Sequence, residues 1–138
     1  MTTGGFQRYS SSRAVYARPS ATGGIYSEYG SLIVSFEGTA WFTENHATAD
    51  GGAIAMMASH EVQITNATFA SNTAKIGGAI SSSAPNDIRR LFKNCLFYDN
   101  IATEGGAVSL YGGAGRDYIA TSVFRNNHAR KICPTMVK

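Results

Sequence analysis

The stretch Phe42 to Ile54 reads FTENHATADGGAI, and related stretches follow at 69–80 (FASNTAKIGGAI), 97–108 (FYDNIATEGGAV) and 124–133 (FRNNHARKIC). Two landmarks recur in them. A Phe-x-x-Asn-x-Ala element returns every 27 or 28 residues, and a Gly-Gly pair, which first occurs at Gly23 and Gly24, returns after 28, 26 and 28 residues. A fixed internal period of this length indicates a tandem repeat.

The segments between these landmarks are short, alternating and rich in β-branched and aromatic residues, which predicts strands. Examples are EVQITNATF from Glu61 to Phe69 and YIATSVF from Tyr118 to Phe124. Helical repeats of this length need amphipathic stretches of about ten or more residues, and none is present. A unit with about three strands is the size of one coil of a solenoid whose strands stack about 4.8 Å apart. The sequence therefore predicts an all-β fold, a right-handed parallel β-helix of about four rungs.

Stacking gives a physical reason for each recurring residue type. The phenylalanines are expected to form an internal aromatic stack. The asparagines are expected to form a ladder of side-chain amides that also satisfies turn backbone groups. The glycine pairs permit a sharp corner with positive φ, and small residues two positions before each phenylalanine (Ala40, Ala67, Cys95 and Ser122) let the walls close around the rings. The structural columns are thus Phe42, Phe69, Phe97 and Phe124; Asn45, Asn72, Asn100 and Asn127; and Gly51, Gly52, Gly77, Gly78, Gly105 and Gly106.

The repeats divide the chain into three parts. Residues 1–22 form a basic arm, residues 23–132 hold the four units (23–50, 51–76, 77–104 and 105–132), and residues 133–138 form a tail. The arm has three arginines and no acid, and its composition is that of a segment disordered on its own. Either it caps the first rung or a partner holds it, and the partner is the favoured interpretation. Its Ser and Arg content also resembles a transit peptide, with an ordinary basic tail as the alternative.

Charge is sparse and unevenly distributed. Charged residues make up 15% of the chain and the net charge is +3, divided as +3 over 1–22, −5 over 23–74 and +5 from 75 onward. This asymmetry favours docking to a partner, and an unevenly charged solvated surface is the plainer alternative. Nucleic-acid binding is disfavoured, because the basic residues form no compact cluster interleaved with aromatics. Neither a transmembrane segment nor a signal peptide is visible in the sequence.

The combination of Gly-Gly-Ala-[Ile/Val] with Phe-x-x-Asn resembles the repeat of the chlamydial polymorphic outer membrane protein family. Three full glycine elements and four phenylalanine elements match, over about residues 23–132, and the first unit departs as Gly23-Gly24-Ile25-Tyr26. The resemblance implies an adhesin-like β-helix at the cell surface or outside the cell. The long chain, secretion signal and membrane barrel that such proteins carry are absent from this sequence.

Candidate catalytic chemistry is limited to one pair of carboxylates. Glu44 and Asp99 are expected in the same column two rungs apart, with Ser71 between them, at a separation of roughly 9 to 10 Å. That is near the upper limit for the carboxylate pair of an inverting glycosidase. Because neither has a basic neighbour on an adjacent rung, the sequence assigns no catalytic residue and predicts a chain that is not an enzyme.

Metal and cofactor sites are not indicated either. The segment 112–119 fits the calcium nonapeptide pattern once, whereas such sites need successive copies, so a glycine-rich loop is the simpler interpretation. His46 and His128 share a column three rungs apart, and His60 lies elsewhere, so no metal ligand set follows. Cys95 is expected to be a small buried thiol that Cys133 does not bridge. Asn66-Ala67-Thr68 is a glycosylation sequon whose Asn66 should point outward.

Three functions are compatible with these features. The first is a non-enzymatic structural or adhesive module that presents a lateral surface to a protein or a glycan, at a cell surface or outside the cell. The second is an accessory subunit of a larger assembly, with an organelle after import as one location for it. The third, which has the weakest support, is a polysaccharide-cleaving enzyme. No cofactor is expected for any of the three.

Overall fold

The computed structural model describes residues 2–9, 25–57, 61–83, 89–112 and 116–131. In these ranges the predicted all-β class is confirmed, since they contain strands and no helix, and hence none able to cross a membrane. Gly23, Gly24, His60, Cys133 and the tail 133–138 lie outside the described residues. The strands are β1 Thr2–Tyr9, β2 Ile25–Thr43, β3 Ile54–Met57, β4 Glu61–Ala70, β5 Thr73–Ile76, β6 Ile80–Ser83, β7 Arg89–Lys93, β8 Leu96–Tyr98, β9 Ile101–Glu104, β10 Val108–Tyr111, β11 Arg116–Ala120, β12 Val123–Arg125 and β13 His128–Ala129.

Every strand pairing among the described residues is parallel. A 10-stranded sheet has the order β10-β6-β3-β2-β4-β7-β11, with β1 on β2 and with β8 between β4 and β12. A 3-stranded sheet has the order β13-β9-β5. Ile54 is the register partner of Ile80, and Ile80 is the partner of Val108, so each strand pairs with its equivalent in the next repeat.

The last two described repeats hold more strands than the sequence indicated. The repeat at 77–104 contains four strands, β6 to β9, where about three were expected. The prediction of one strand from Tyr118 to Phe124 is wrong, because β11 ends at Ala120 and β12 begins at Val123. Thr121 between them has a φ of 51°, a left-handed conformation that turns the chain. Asn94 takes the same conformation between β7 and β8 of the preceding repeat.

The interior is lined by the inward side of the strands. Small and large side chains alternate along it: Phe42, Phe69 and Phe97 lie beside Ala40, Ala67 and Cys95, and all are buried. Other inward positions carry branched residues, so the buried core is apolar over most of its length. Its further members include Ile54, Ile80, Val62, Ile64, Phe92, Ala53 and Ala79.

The two glycines of each pair have different roles. The first, as at Gly77 with a φ of 63°, adopts the left-handed conformation that turns the corner. The second lies against the backbone of the next repeat, and a Cβ on Gly78 would overlap the carbonyl oxygen of Gly106. One glycine is therefore required by its backbone angles and the other by the close stacking of successive corners.

The first strand lies on the first repeat. β1 pairs with β2 in parallel, from Thr2 opposite Ser27 to Tyr9 opposite Val34. The described part of the basic arm therefore lies against the first repeat, as the capping interpretation expects, and the interpretation that a partner holds the arm stays a prediction. Residues 10–24 lie outside the described part of the chain.

Candidate functional site

An aromatic stack runs along the interior. The ring centroids of Phe42 and Phe69 are 4.8 Å apart, those of Phe69 and Phe97 are 4.9 Å apart, and those of Phe97 and Phe124 are 4.6 Å apart. The interplanar angles are between 6° and 10°. The first three rings are buried, whereas Phe124 is 44% exposed because no described strand covers it. The stack fixes successive repeats in register by contact of like with like.

A ladder of asparagine amides runs parallel to the rings. Nδ2 of Asn72 donates to Oδ1 of Asn100 at 2.9 Å, and Nδ2 of Asn45 donates to Oδ1 of Asn72 at 2.8 Å. Each acceptor oxygen also takes the backbone N–H of the preceding asparagine, as in Asn72 N to Asn100 Oδ1 at 3.0 Å. The amide of Asn127 extends the ladder, accepting from Nδ2 of Asn100 at 2.8 Å. Burial without these bonds would be costly, so the ladder stabilises one register.

The expected carboxylate column lies on an exposed corner. Glu44, Ser71 and Asp99 all have positive φ and all are exposed. The backbone N–H of each donates to a carbonyl of the next repeat, as from Glu44 to Ala70 O at 3.1 Å. A glycosidase acid works in an enclosed apolar pocket, and these carboxylates stand on an open edge instead.

The histidine column is interrupted by two other residue types. His46 pairs with Thr73, Thr73 with Ile101, and Ile101 with His128. Nδ1 of His46 lies 2.6 Å from Oγ1 of Thr73. Among the residues described, no cluster of three or more His, Cys, Asp or Glu side chains is placed to hold a metal ion.

A buried arginine, which the repeat pattern does not predict, anchors the last described repeat. Arg90 is 1% exposed, and its Nη1 donates to both carboxylate oxygens of Asp117 at 3.1 Å. Its Nε donates to Oγ of Ser82 at 3.0 Å, and its Nη2 donates to the carbonyl of Tyr111 at 3.1 Å. In the preceding repeat, Val62 occupies the position of Arg90 and Met56 occupies the position of Ser82. A polar pair of side chains therefore replaces an apolar pair. Asp117 thus pairs with a cation, whereas the nonapeptide pattern would have made it a calcium ligand.

This pair predicts a stability effect. Asp117→Asn weakens the charge-assisted bonds to a buried guanidinium and, because the carboxylate is 36% exposed, should lower the free energy of unfolding by about 1–2 kcal/mol. Urea denaturation followed by circular dichroism measures it. Glu104→Gln is the control, because it breaks the exposed pair with Lys131 and should change nothing measurable. Equal effects of the two variants would contradict the anchoring role of Arg90.

Cys95 is a free thiol in the small-residue column of the core. Burial raises the pKa of this thiol above its ordinary value of 9.0. Its backbone N–H donates to Oγ of Ser122 at 3.1 Å, so the neighbouring small residue also fixes its position. The thiolate is the reactive form of cysteine, and this one is disfavoured in the folded chain.

Thiol labelling tests that burial. In a Cys133→Ser background, Cys95 should react with a disulfide reagent only as fast as the chain opens, and urea should accelerate the reaction. The raised pKa of Cys95 also makes the free energy of unfolding depend on pH, and the contribution of the buried thiol is fully present below pH 9.0. It falls as the pH rises toward the folded value, because the unfolded chain then loses the proton first. Rapid labelling in native buffer at pH 8 would contradict the burial.

Asn66 of the sequon sits at a bend. It has a φ of 56° and is half-buried, and its Oδ1 accepts from Nδ2 of Asn94 at 3.3 Å. Thr68 of the same sequon is 4% exposed. The side chain of Asn66 therefore belongs to a corner column with Asn94, in addition to its place in the sequon.

The last described repeat ends in an apolar groove of about 600 Å³, whose lining includes Val108, Leu110, Ile119 and Phe124. These residues continue inward columns that are buried in the earlier repeats. Several large apolar side chains of this repeat are well exposed, namely Tyr111, Tyr118, Ile119, Val123 and Phe124.

Part of this repeated pattern is found in a known family. Residues 42–55 match the Chlamydia polymorphic membrane protein repeat. The matched stretch is about a tenth of the chain, and it begins at the first ring of the stack, includes Asn45 and ends just after the glycine corner and Ile54. The resemblance inferred from the motifs is thus supported for this repeat.

The chain is also similar to part of a much longer protein. It is 32% identical over 104 residues to the metabotropic glutamate receptor-like protein R of Dictyostelium discoideum. The aligned region is 72% of this chain and 6% of that relative, so the chain spans a small fraction of the relative's length. No solved structure matches the chain.

Proposed function

We propose that the chain forms a right-handed parallel β-helix of about four rungs that acts as a non-enzymatic structural or adhesive module. Its lateral faces contact a protein or a glycan at a cell surface or outside the cell. The observation that carries this proposal is the one-repeat register of the strands, in which Phe69, Asn72 and their equivalents lie directly over one another. Outward side chains are placed in the same register and form a regular array.

Rigidity is what such an array contributes to binding. Association is weakened when side chains and loops must be ordered on contact, and a preordered face avoids much of that cost. The buried ring stack and the amide ladder both oppose slippage of one repeat past the next. A broad contact surface can therefore be presented without a pocket.

The surface location is favoured by the two similarities. One is to a repeat whose description names a polymorphic membrane protein, and the other is to a protein named as receptor-like. Both descriptions belong to those proteins. For this chain they support the proposed location at a cell surface, where the outer face of the β-helix can contact other molecules.

A cell-binding assay tests the proposal. Fluorescently labelled folded protein should bind intact cells saturably, and unlabelled protein should compete for the same sites. Protease or glycosidase treatment of the cells identifies whether a protein or a glycan is contacted. Binding no greater than that of an inert protein of equal net charge would contradict a contact function.

The apolar groove at the last described repeat favours a second candidate, an accessory subunit of a larger assembly, at the surface or in an organelle. Exposed rings such as Phe124 and Tyr111 are of the kind found at the centre of stable interfaces. Native mass spectrometry of material from the source cells should then reveal a partner in fixed stoichiometry. Isolation of the chain alone at all concentrations would count against this candidate.

The non-enzymatic part of the proposal is tested separately. Glu44 and Asp99 are exposed on an open corner, an unfavourable setting for a glycosidase acid. Incubation with neutral and acidic polysaccharides should therefore release no reducing ends. Release that disappears in Glu44→Gln would establish an enzyme instead.

A further inference from the structure

One outer face of the last two described repeats is basic. Strand alternation places Arg89, Leu91 and Lys93 of β7 outward, because Arg90 and Phe92 between them are buried. In β11, Arg116 and Tyr118 point the same way, because Asp117 between them turns inward to Arg90. We call this set of five outward residues the basic face.

The two arginines of the basic face are register partners. Arg116 pairs with Arg89 on the neighbouring strand, at the strand spacing of about 4.8 Å. Like charges directly opposite each other destabilise a sheet. An anion placed between the two guanidinium groups would relieve this repulsion and would accept hydrogen bonds from both of them.

No acid on this face neutralises them among the described residues. Glu61 is the register partner of Arg89 on the other side, but its Oε1 accepts from Nε2 of Gln63 at 2.7 Å and no ion pair joins it to Arg89. Two other cations of the same region do have carboxylate partners, since Arg90 pairs with Asp117 and Lys131 pairs with Glu104. Among the described residues, Arg90 and Lys131 thus have carboxylate partners, whereas no acid forms an ion pair with Arg89 or Arg116 of the basic face.

The geometry of the face favours a linear ligand. Lys93 lies four residues along β7 from Arg89, which is about 13 Å in an extended strand. Tyr118, 50% exposed, stands between Arg116 and the position opposite Lys93. The cations are thus spread along and across the strands, with an aromatic ring between them.

We propose that the basic face binds an anionic polysaccharide, an inference that rests on the contact function proposed above. The planar guanidinium forks suit carboxylate and sulfate groups, to which they donate paired hydrogen bonds. The exposed ring of Tyr118 offers an apolar surface on which a sugar ring packs while its hydroxyl stays wet. A flat face with spaced charges matches a polymer whose acidic groups recur at intervals, and it fits less well the irregular surface of an acidic protein.

Binding to immobilised polysaccharides tests this assignment. The probes are heparin as the sulfated polymer, polygalacturonate as the carboxylated polymer and dextran as the neutral control, measured by surface plasmon resonance. Wild-type protein should bind one or both anionic probes, should not bind dextran, and should bind less at high salt. Which probe binds more tightly identifies sulfate or carboxylate as the recognised group.

A pair of double variants separates a defined face from net charge. Arg89→Gln with Arg116→Gln should weaken binding by about 100-fold, about tenfold for each arginine whose charge-assisted hydrogen bonds are removed. Lys75→Gln with Arg130→Gln removes the same two charges from other exposed positions and should weaken it by less than about threefold. Equal losses in the two double variants would overturn the proposal.

Stability provides a second readout. Because Arg89 and Arg116 repel each other, the first double variant should unfold at the same urea concentration as wild type or at a higher one. A clear loss of stability would overturn the proposal by giving the arginines a structural role. Wild-type protein that binds neither anionic probe but binds intact cells in a protease-sensitive manner would overturn it in favour of a protein ligand, with the contact function intact. Failure in both assays would overturn the contact function as well.

Discussion

Replacing Phe69 by alanine lowers the free energy of unfolding by about 3–5 kcal/mol, because it opens a cavity in a buried stack. Phe69 has no exposed surface, and its ring lies within 4.9 Å of a ring on each side. Removal of the middle ring deprives both neighbours of a packing partner, and the stacked walls cannot collapse without shifting the strands. Urea denaturation monitored by circular dichroism gives the value.

Phe124→Ala is the matched control for that experiment. Its ring ends the stack, is 44% exposed and has one described aromatic neighbour, Phe97. We expect a loss of about 1–2 kcal/mol, because less apolar surface returns to water. If Phe69→Ala cost no more than Phe124→Ala, the stack would not be the packed centre of the fold.

Replacing Asn100 by alanine has a comparable effect, a loss of about 2–5 kcal/mol, for a different reason. Oδ1 of Asn100 accepts from both the backbone N–H and Nδ2 of Asn72, and its Nδ2 donates to the carbonyl of Phe69 at 2.9 Å. Alanine removes these bonds inside the protein, where water does not replace them. Buried polar groups that lose their partners destabilise more than the bonds themselves contribute.

Asn127→Ala removes the equivalent amide at the last described repeat. Asn127 is half-buried, and its Oδ1 accepts from Asn100 Nδ2 at 2.8 Å. Water can reach the groups that it leaves, so we expect a loss of about 1 kcal/mol. The same urea experiment measures both variants, and a loss at Asn127 equal to that at Asn100 would contradict the dependence on burial.

The features that a sequence reveals here are those that recur from repeat to repeat. Phe69 and Asn72 each have equivalents one period away, and in a stack of repeats equivalent residues become spatial neighbours. The all-β class follows from the same spacing together with the absence of helical periodicity. For this reason the inward columns of rings and amides could be predicted from the sequence alone.

The corners between β7 and β8 and between β11 and β12 could not be predicted in the same way. Asn94 and Thr121 adopt left-handed backbone conformations without being glycine, so no glycine marks the corner. Thr is an uncommon choice there, because its branched side chain disfavours positive φ. The resulting fourth strand of the repeat was therefore missed.

Arg90 was missed because the repeat is broken at that position. Arg90 and Asp117 occupy an inward column whose earlier member is Val62. An arginine is rarely buried unless it is paired, so composition alone places it at the surface. The signal that identifies it is the alternation in RRLFK, where Arg90 and Phe92 fall on the same side of the strand.

Contact residues are harder to predict than structural residues, because the stacking of repeats does not determine which residue types occupy the outward positions. Outward positions are not constrained by stacking, and one such column changes from Glu61 to Arg89 to Arg116 along the repeats. No periodic pattern marks these residues. They become a face only when the register places them side by side, so the basic face required the structure.

Nuclear Overhauser contacts between the phenylalanine rings test the central claim most directly, that equivalent residues of successive repeats lie in contact. With ring-proton labelling of phenylalanine, Phe69 should show cross-peaks to Phe42 and to Phe97, and Phe42 and Phe97 should show none to each other, since the rings of successive repeats are 4.8 and 4.9 Å apart. Rings that show no contacts with one another and resonate like those of solvent-exposed phenylalanine would contradict the architecture and every functional proposal built on it.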